Sequence, residues 1–312
     1  MRKVAVLDLG TNTFHLLIAQ VTQNGELELI DRRQLPVKLG EGGIKNDTIC
    51  EQALNRAYSA IDEIGEAIES HNPSEIWTYA TSVFRTTGNS QALIDHIESK
   101  LNTTVRIIDG AREAEFIFYG VKWAVELGNE PALILDIGGG SVEFIVANKD
   151  QIYYLESVEI GAARLIERFH RNDPITDEEI KALNQHFDST LQNVLKEVKS
   201  YRPQILIGAS GVFETLTEIE LRNLHNREVD QLPASYKLDF ENFDKITSKI
   251  VVSTQEELYN MRGMAAFRVN MIVVASLFTR HLIKKLDFKE IWFSDYAIKE
   301  GILYEKVVVE GY

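Results

Sequence analysis

Two short segments of the same kind, 128 residues apart, constrain the possible folds of this chain more than any other feature. The first runs from Asp8 to Thr13 and reads Asp-Leu-Gly-Thr-Asn-Thr; the second runs from Asp136 to Ser141 and reads Asp-Ile-Gly-Gly-Gly-Ser. Each follows an apolar run and leads into another of strand type, which predicts a tight turn between neighbouring strands. A repeat with so long a period indicates a duplicated α/β domain rather than a solenoid.

The predicted elements recur in the same order on both sides of Gly128-Asn129-Glu130-Pro131, the best candidate for a boundary. Each half opens with three strands in an antiparallel meander and continues with alternating helices and strands. No linker or low-complexity segment separates the halves. The sequence therefore predicts two α/β domains, the first over residues 1–128 and the second over residues 129–299.

Three local predictions are specific enough to compare with a structure. Asn24-Gly25 between two apolar runs predicts a hairpin turn. A single long helix is predicted over Ile175–Val198, and its start is marked by the capping box of Thr176 and Glu179. Residues 225–254 are predicted to be an insertion that contains one helix near residues 241–252.

The glycines and hydroxyl groups of the two loops favour a phosphate group as ligand. Glycine lets an anion approach the backbone closely, and successive backbone N–H groups form a concave anion site. Thr11, Thr13 and Ser141 add hydroxyl donors, while Asp8 and Asp136 at the strand ends are suited to hold hydrated Mg²⁺ or to orient water. Because two such loops occur, the sequence predicts a cleft between the halves that holds phosphate from both sides.

Two common nucleotide-binding motifs do not describe these loops. Neither is a Walker loop, since no Gly-Lys-Ser/Thr follows the glycines. Neither is a dinucleotide fingerprint, because a strand rather than a helix is predicted to follow.

The charge balance and the apolar runs limit the function classes. With 33 Lys+Arg and 47 Asp+Glu the net charge is -14, which argues against a nucleic-acid binder or an anionic membrane surface as partner. Cys50 is the single cysteine, so no intrachain disulfide is possible and an inert thiol is expected. The apolar run Val4–Leu7 is too short for a signal peptide, and Arg268 and Asn270 interrupt the longest apolar stretch. We therefore expect a cytoplasmic protein.

Five further segments stand in a fixed order with the two loops and their flanks: Ala80–Arg85, Gly110–Ile117, Gly161–Phe169, Gly208–Gly211 and Ser294–Gly301. Together these seven segments, which cover nearly the whole chain, resemble the exopolyphosphatase/guanosine-pentaphosphate phosphatase (Ppx/GppA) family of the actin/Hsp70/sugar-kinase superfamily. The resemblance implies two duplicated ribonuclease-H-like (actin-like ATPase) domains with a cleft between them, the first completed by the C-terminal helix 300–312. It also implies a homodimer and a short form of the family, without the HD-type C-terminal domain of longer members.

The resemblance further implies hydrolysis of a terminal phosphoanhydride, on inorganic polyphosphate or on guanosine pentaphosphate. Glu113 matches the catalytic base of the family, and Asp136 and Glu143 match carboxylates that order the water and the metal. With Asp8 they would bind Mg²⁺ or Mn²⁺, and Arg85 matches an arginine that contacts phosphate. The other phosphate-binding candidates lie in the glycine-containing loops: Thr11, Asn12, Thr13, Gly138, Gly139, Gly140, Ser141, Gly208, Ser210 and Gly211.

Each role has a structural alternative. Glu113, predicted near a helix start, is also a favourable partner of the helix dipole, and Arg85 could pair with an acidic residue at the surface. The segment Gly208–Gly211 could be a plain strand-to-helix turn, and Arg164 could be a cap or a substrate contact. Val212 stands where the family usually has threonine, which puts ligand contacts of the second domain in doubt.

Three functions remain open from the sequence. The preferred one is an Mg²⁺-dependent exopolyphosphatase that releases orthophosphate from a chain end. The alternatives are a guanosine pentaphosphate 5'-phosphohydrolase and a non-catalytic sensor of polyphosphate or guanosine polyphosphates. A pure sensor has no need for Glu113 together with Asp136 and Glu143, so the two enzymatic functions are favoured.

Overall fold

The computed structural model describes residues 2–22, 26–209, 211–225, 227, 229 and 231–311. The predicted turn at Asn24-Gly25 lies outside these residues. The described strands are β1 (Arg2–Leu9), β2 (Thr13–Val21), β3 (Leu27–Pro36), β4 (Glu75–Ala80), β5 (Val105–Ile107), β6 (Ala132–Ile137), β7 (Val142–Ala147), β8 (Ile152–Val158), β9 (Ile205–Gly208), β10 (Ser235–Leu238) and β11 (Glu290–Ser294).

Helices connect these strands and cover both sheets. The described α-helices are α1 (Glu51–His71), α2 (Ser82–Thr86), α3 (Gln91–Leu101), α4 (Gly110–Ala124), α5 (Ala162–Phe169), α6 (Asp177–Thr190), α7 (Gln192–Ser200), α8 (Gly211–Ile219), α9 (Phe240–Val252), α10 (Gln255–Tyr259), α11 (Val269–Lys285) and α12 (Ile298–Tyr304). Short 3-10 turns lie at 44–46 and 266–268, and π-helical turns at 220–224 and 305–309 extend α8 and α12.

The strands form two mixed sheets, one in each half of the chain. Lobe I contains a five-stranded sheet in the order β3-β2-β1-β4-β5, and lobe II a six-stranded sheet in the order β10-β11-β9-β6-β7-β8. In both sheets the first three strands of the half form an antiparallel meander, and the first of them also pairs in parallel with a later strand. The duplication predicted from the two loops is therefore present as two sheets of related topology.

A shared layer of helices joins the two lobes. The strands β1 and β6 are apolar on both faces, as is typical of a strand covered on both sides. Val4 of β1 and Ile134 of β6 bury their side chains in one common cluster that also includes α4 and α12. The opposite faces of the sheets pack in separate clusters against α1 and α3 in lobe I and against α6, α8 and α11 in lobe II. The helices α4 and α12 thus lie between the sheets and fix the base of the cleft.

Close packing of α4 and α12 depends on two glycines that face each other. A Cβ atom at Gly301 would collide with the carbonyl of Phe116, and one at Gly120 would collide with the carbonyl of Ala297. Since the helix backbones approach this closely, no larger residue fits without moving a helix.

The predicted helix Ile175–Val198 is wrong in one respect, because it is two helices that meet at Leu191. Ser189 precedes the break and donates from Oγ to the carbonyl of His186 at 2.9 Å, and a bond of this kind competes with the helical hydrogen bonds of the backbone. The capping box of Thr176 and Glu179 is confirmed. The structure also adds elements that the sequence did not predict, namely the short helices α2 and α5 and the strand β10 within residues 225–254.

The apolar segment 266–285 includes the helix α11. By length and composition it could cross a membrane, but 67% of it is buried inside the protein. Its apolar composition is accounted for by the core of lobe II, where Val274 and Phe278 are fully buried.

Candidate active site

The two similar loops, residues 8–13 and 136–141, meet in a cleft between the lobes that contains a cavity of about 380 Å³. A Cβ atom on Gly139 would overlap the side chain of Asn12, so the loops approach each other closely. The predicted cleft is therefore present. Twelve of the predicted site residues line its wall: Asp8, Thr11, Asn12, Thr13, Glu113, Asp136, Gly138, Gly139, Gly140, Ser141, Glu143 and Gly211.

The internal repeat places one pair of side chains from each lobe at corresponding positions. Asp8 of β1 lies opposite His15 of β2, and Asp136 of β6 lies opposite Glu143 of β7. All four residues line the cleft. His15 therefore occupies in lobe I the position that Glu143 occupies in lobe II. Burial, together with the nearby charges of Lys299 and other cations, holds the pKa of His15 well below its usual range, so the imidazole is neutral.

Glu113 lies in the first turn of α4, and its orientation follows from the helix start. The Asp109 side chain caps this helix by accepting a hydrogen bond of 2.8 Å from the Arg112 backbone N–H. Glu113 is 5% exposed, and its Oε2 accepts a hydrogen bond of 2.7 Å from Arg85 Nη1. Burial raises the pKa of Glu113 to about 6 although the Arg85 charge lowers it. A carboxylate that titrates close to neutrality suits a general base.

Three further carboxylates in the cleft have raised pKa values. Burial, and next the charge of Glu113, raises the pKa of Asp8 to about 7. The same two causes raise the pKa of Glu143 well above its usual range, and Glu143 accepts a hydrogen bond of 2.7 Å from Ser157 Oγ. Asp136 keeps part of its surface open to the cleft, yet its depth in the protein and the charges of Glu113 and Asp8 raise its pKa strongly. Clustered acidic groups of this kind are stabilised as carboxylates by a cation.

The donor set fits a hard divalent cation. Asp8 is buried, and its Oδ1 has no hydrogen-bond partner among the residues that the structure describes. Carboxylate oxygens suit Mg²⁺ or Mn²⁺, and Mg²⁺ is commonly held by one or two carboxylates, with water and substrate phosphate as its other ligands. Among the described residues no three acidic, histidine or cysteine side chains converge into a ready-made metal site. The predicted set of Asp8, Asp136 and Glu143 would therefore need ligand oxygens to complete the coordination.

The glycine-containing loops differ in what their glycines do. Thr11 Oγ1 is buried beside Gly140 and has no hydrogen-bond partner in the described part of the chain, so a hydroxyl is available for a ligand. Gly208, in contrast, is not among the residues that line the cleft. A Cβ atom there would overlap the Phe213 ring, which explains this glycine by packing. Ser210, also predicted to bind phosphate, lies outside the described residues.

Arg85, a predicted site residue, and Arg164, whose role the sequence leaves open, both lie behind the wall of the cleft. Arg85 is not among the lining residues; its Nη1 donates to Glu113 and to the carbonyl of Ile108 at 2.9 Å. A phosphate contact of Arg85 stays a prediction, since the observed partner is the candidate base. Arg164 donates from Nε to the carbonyl of Gly140 at 3.0 Å. Its observed role is to support the glycine loop from behind.

Sequence reasoning missed four cations that line the cleft, namely Arg32, Arg33, Lys299 and Arg268. Arg32 of β3 pairs with Asp295 at 2.5 Å and with the buried Glu300 at 2.6 Å. Lys299 also pairs with Glu300, at 3.2 Å, and its charge lowers the pKa of both Asp8 and Asp136. Arg268 pairs with Glu214 at 2.5 Å across the start of α8. These residues come from elements far apart in the chain, so no local motif marks them as a group.

Two α/β lobes, each with a mixed sheet of related topology and with a cleft between them, are the architecture of the actin-like ATPase fold. Within this class, the model of the Ppx/GppA phosphatase family matches residues 17–310. The chain belongs to the Ppx/GppA phosphatase family and is therefore a phosphoanhydride hydrolase. The family predicted from the seven segments and the fold predicted from it are both confirmed.

Solved structures and a curated relative agree with this membership. The crystal structure of an exopolyphosphatase from Cytophaga hutchinsonii is similar, with 37% identity, a TM-score of 0.94 and coverage of 98% of both chains. The Ppx/GppA family member from Aquifex aeolicus is 21% identical with a TM-score of 0.80, covering 100% of this chain and 99% of its own, and supports the fold. A relative from Haemophilus influenzae is 23% identical over 305 residues, which is 97% of this chain and 91% of its own length.

Proposed function

We propose that this protein is an exopolyphosphatase that releases orthophosphate from the end of inorganic polyphosphate. The observation that carries the proposal is Glu113, a buried carboxylate held by Arg85 at the wall of the cleft where both phosphate-type loops meet. The 37% identical protein from Cytophaga hutchinsonii is described as an exopolyphosphatase, and this supports the choice of substrate.

In the proposed reaction the loops hold the terminal phosphate and Glu113 activates water. The N–H groups and hydroxyls of residues 10–13 and 138–141 would bind the phosphate oxygens. The Glu113 carboxylate accepts a proton from the water as its oxygen attacks the terminal phosphorus. The bond from phosphorus to the bridging oxygen breaks, and its electron pair stays on the shortened polyphosphate. Such a reaction depends on positioning and charge stabilisation more than on covalent chemistry.

We assign Mg²⁺ or Mn²⁺ to the carboxylates Asp8, Asp136 and Glu143. When bound, the cation would neutralise negative charge on the substrate and on these side chains. The protein's own cations, Arg32, Lys299 and Arg268, line the same cleft. An acidic chain can thus bind an anionic substrate, since the positive charge is local.

A second candidate is removal of the terminal phosphate of guanosine pentaphosphate. A mostly apolar pocket of about 260 Å³ adjoins the cleft, and Asn12, Thr13, Phe267 and Met271 line both. Ligand sites for flat organic groups are typically apolar with a few polar groups. A nucleoside in this pocket would leave its phosphates near the loops, and this pocket is the observation that makes guanosine pentaphosphate the second candidate.

Phosphate release from each substrate tests the proposal. The purified protein would be incubated with Mg²⁺ and either long-chain polyphosphate or guanosine pentaphosphate, and orthophosphate measured over time. We expect release from polyphosphate with the higher kcat/KM, and its loss in Glu113→Gln. A higher kcat/KM on guanosine pentaphosphate would support the second candidate instead. Binding of either compound without any release would identify a sensor and reject both enzymatic proposals.

We further propose that the protein works as a homodimer in the cytoplasm. Both parts rest on the family resemblance and on the composition of the chain. Light scattering of the purified protein would give twice the mass of 35.4 kDa for a dimer, and a mass of one chain at the concentration of the assay would reject it.

A further inference from the structure

The carboxylate of Glu159 is shared between the two lobes. Glu159 lies in the connection from β8 to α5, and its Oε2 accepts hydrogen bonds from Ser82 Oγ at 2.8 Å and Arg164 Nη2 at 3.0 Å. Its Oε1 lies 3.4 Å from Arg85 Nη2. Ser82 and Arg85 belong to α2 of lobe I, whereas Glu159 and Arg164 belong to lobe II. One side chain therefore joins the lobes beside the cleft.

On the lobe II side, this connection supports the glycine loop 138–141. Arg164 donates from Nε to the carbonyl of Gly140 at 3.0 Å. Three successive backbone N–H groups also donate to the carbonyls of the loop at 2.9 to 3.0 Å: Gly161 to Gly140, Ala162 to Gly138 and Ala163 to Gly139. Because the backbones are in direct contact, a displacement of the loop also displaces the connection that carries Glu159.

On the lobe I side, the same network ends at the candidate base. Arg85 Nη1 donates to Glu113 Oε2 at 2.7 Å and to the Ile108 carbonyl at 2.9 Å, while its Nη2 faces Glu159. A guanidinium group is planar and rigid, so a change at one nitrogen reorients the other. The position of the Glu113 carboxylate thus depends on the group that Arg85 Nη2 contacts, which is the Glu159 carboxylate.

We propose that Glu159 is a positioning residue that orients the Glu113 carboxylate through Arg85, and that it couples this orientation to the placement of the glycine loop against lobe I. The inference rests on the proposed hydrolysis. In the structure, the glycine loop of lobe II and the base of lobe I are held by one chain of charged hydrogen bonds. The alignment of the base therefore depends on how the two lobes are placed against each other.

The alternative is that Glu159 forms a surface ion pair without a role in the reaction. Its side chain is 42% exposed, and exposed ion pairs contribute little to stability. Glu159→Gln keeps the shape of the side chain and removes its charge. Glu156→Gln is the matched control. Glu156 lies on β8, three residues before Glu159, and accepts a hydrogen bond from the Tyr154 hydroxyl. It does not contact Arg85, whose Nη2 faces Glu159.

Steady-state kinetics on polyphosphate separates the two possibilities. We expect Glu159→Gln to lower kcat about tenfold, because a small misplacement of a reacting group is costly, and to leave KM within about twofold. Glu156→Gln should keep the wild-type kcat. An unchanged kcat in Glu159→Gln, or a raised KM alone, would overturn the inference while leaving the proposed function intact. Absence of activity in the wild type would reject the proposed function.

A double-mutant cycle tests the route through Arg85. In an Arg85→Gln background, Glu159→Gln should cause no further loss of kcat, whereas independent, multiplicative losses would exclude the route. Melting temperatures of the same four proteins give a measurement that needs no substrate. Shifts that do not add would support the Glu159–Arg85 contact even where no hydrolysis occurs, and additive shifts would contradict it.

Discussion

Arg85 Nη1 lies 2.7 Å from Glu113 Oε2, and this ion pair is almost fully withdrawn from solvent, with the two side chains 16% and 7% exposed. Burial alone would favour the protonated acid, which cannot accept a proton from water. The arginine charge opposes this effect and keeps the pKa of Glu113 at about 6. The pair therefore makes a buried carboxylate usable as a base near neutral pH.

Glu113→Gln should lower kcat on polyphosphate by about two to four orders of magnitude, the range for loss of a general base. Glutamine keeps the size of the side chain but cannot accept the proton. Glu115→Gln, two residues further along α4 with an exposed side chain paired to Arg112, is the control and should keep wild-type kcat. Wild-type turnover in Glu113→Gln would show that another group activates the water.

The pH profile should report the same carboxylate. Activity requires the ionised form, so kcat/KM should fall as the pH drops through about 6, with Mg²⁺ held constant. Because the Arg85 charge lowers the pKa of Glu113, Arg85→Gln should shift this acidic limb to higher pH. A limb at unchanged pH in Arg85→Gln would mean that the arginine does not control the ionisation of the base.

The sequence identified most of the cleft because its local patterns carry strong steric and electrostatic requirements. The loops 8–13 and 136–141 are recognisable as candidate phosphate sites from their sequences, since only a few residue types allow such turns beside a phosphate. Glu113 was found only through the family resemblance, as an acid in the first turn of a helix is also an ordinary dipole partner.

Other parts of the site depend on contacts between distant segments. Arg32 and Lys299 meet at Glu300, and Glu159 meets Arg85, only in the folded chain, and nothing in their own neighbourhood along the sequence marks them. For Gly208 the local pattern is misleading. Its glycine-rich loop predicts phosphate binding, whereas the structure shows that a side chain at this position would overlap the ring of Phe213. Helix breaks such as the one at Leu191 are likewise weakly encoded, since they depend on small propensity differences.

Metal-free protein should lose stability as the pH rises from about 4 to about 7. Burial raises the pKa of Asp8 in the folded state to about 7, above its ordinary value of 3.8, so the stability that its protonated form contributes is complete below pH 3.8 and is lost as the pH rises through 7. At about 1.4 kcal/mol per pH unit this corresponds to about 4 kcal/mol at most. Mg²⁺ should therefore raise the melting temperature more at pH 8 than at pH 5. Equal stabilisation at both values would contradict a metal held by these carboxylates, and Asp8→Asn should reduce the difference.

Gly301→Ala should destabilise the protein by roughly 1–3 kcal/mol, because the added methyl group meets the Phe116 carbonyl and overpacks the contact between α4 and α12. Gly128→Ala is the matched control, since no described residue lies within 4 Å of a Cβ atom placed there. Urea unfolding of both variants measures the change in the free energy of unfolding. Equal stability of the two variants would mean that the interlobe layer tolerates separation of its helices.

Ile166→Trp should discriminate between the two candidate substrates. Ile166 lines the apolar pocket but not the main cleft, so a larger ring would fill the space available to a nucleoside without reaching the phosphate loops. If guanosine pentaphosphate uses this pocket, its KM should rise about tenfold or more, because the loss of one apolar contact alone is worth about tenfold. The kcat/KM on polyphosphate should stay within about twofold of the wild-type value. Ile166→Val, which leaves the pocket open, is the control. An equal loss on both substrates would show that the substitution disturbs α5, which carries Ile166, and the glycine loop that α5 supports. An unchanged KM for the nucleotide would place the nucleoside elsewhere.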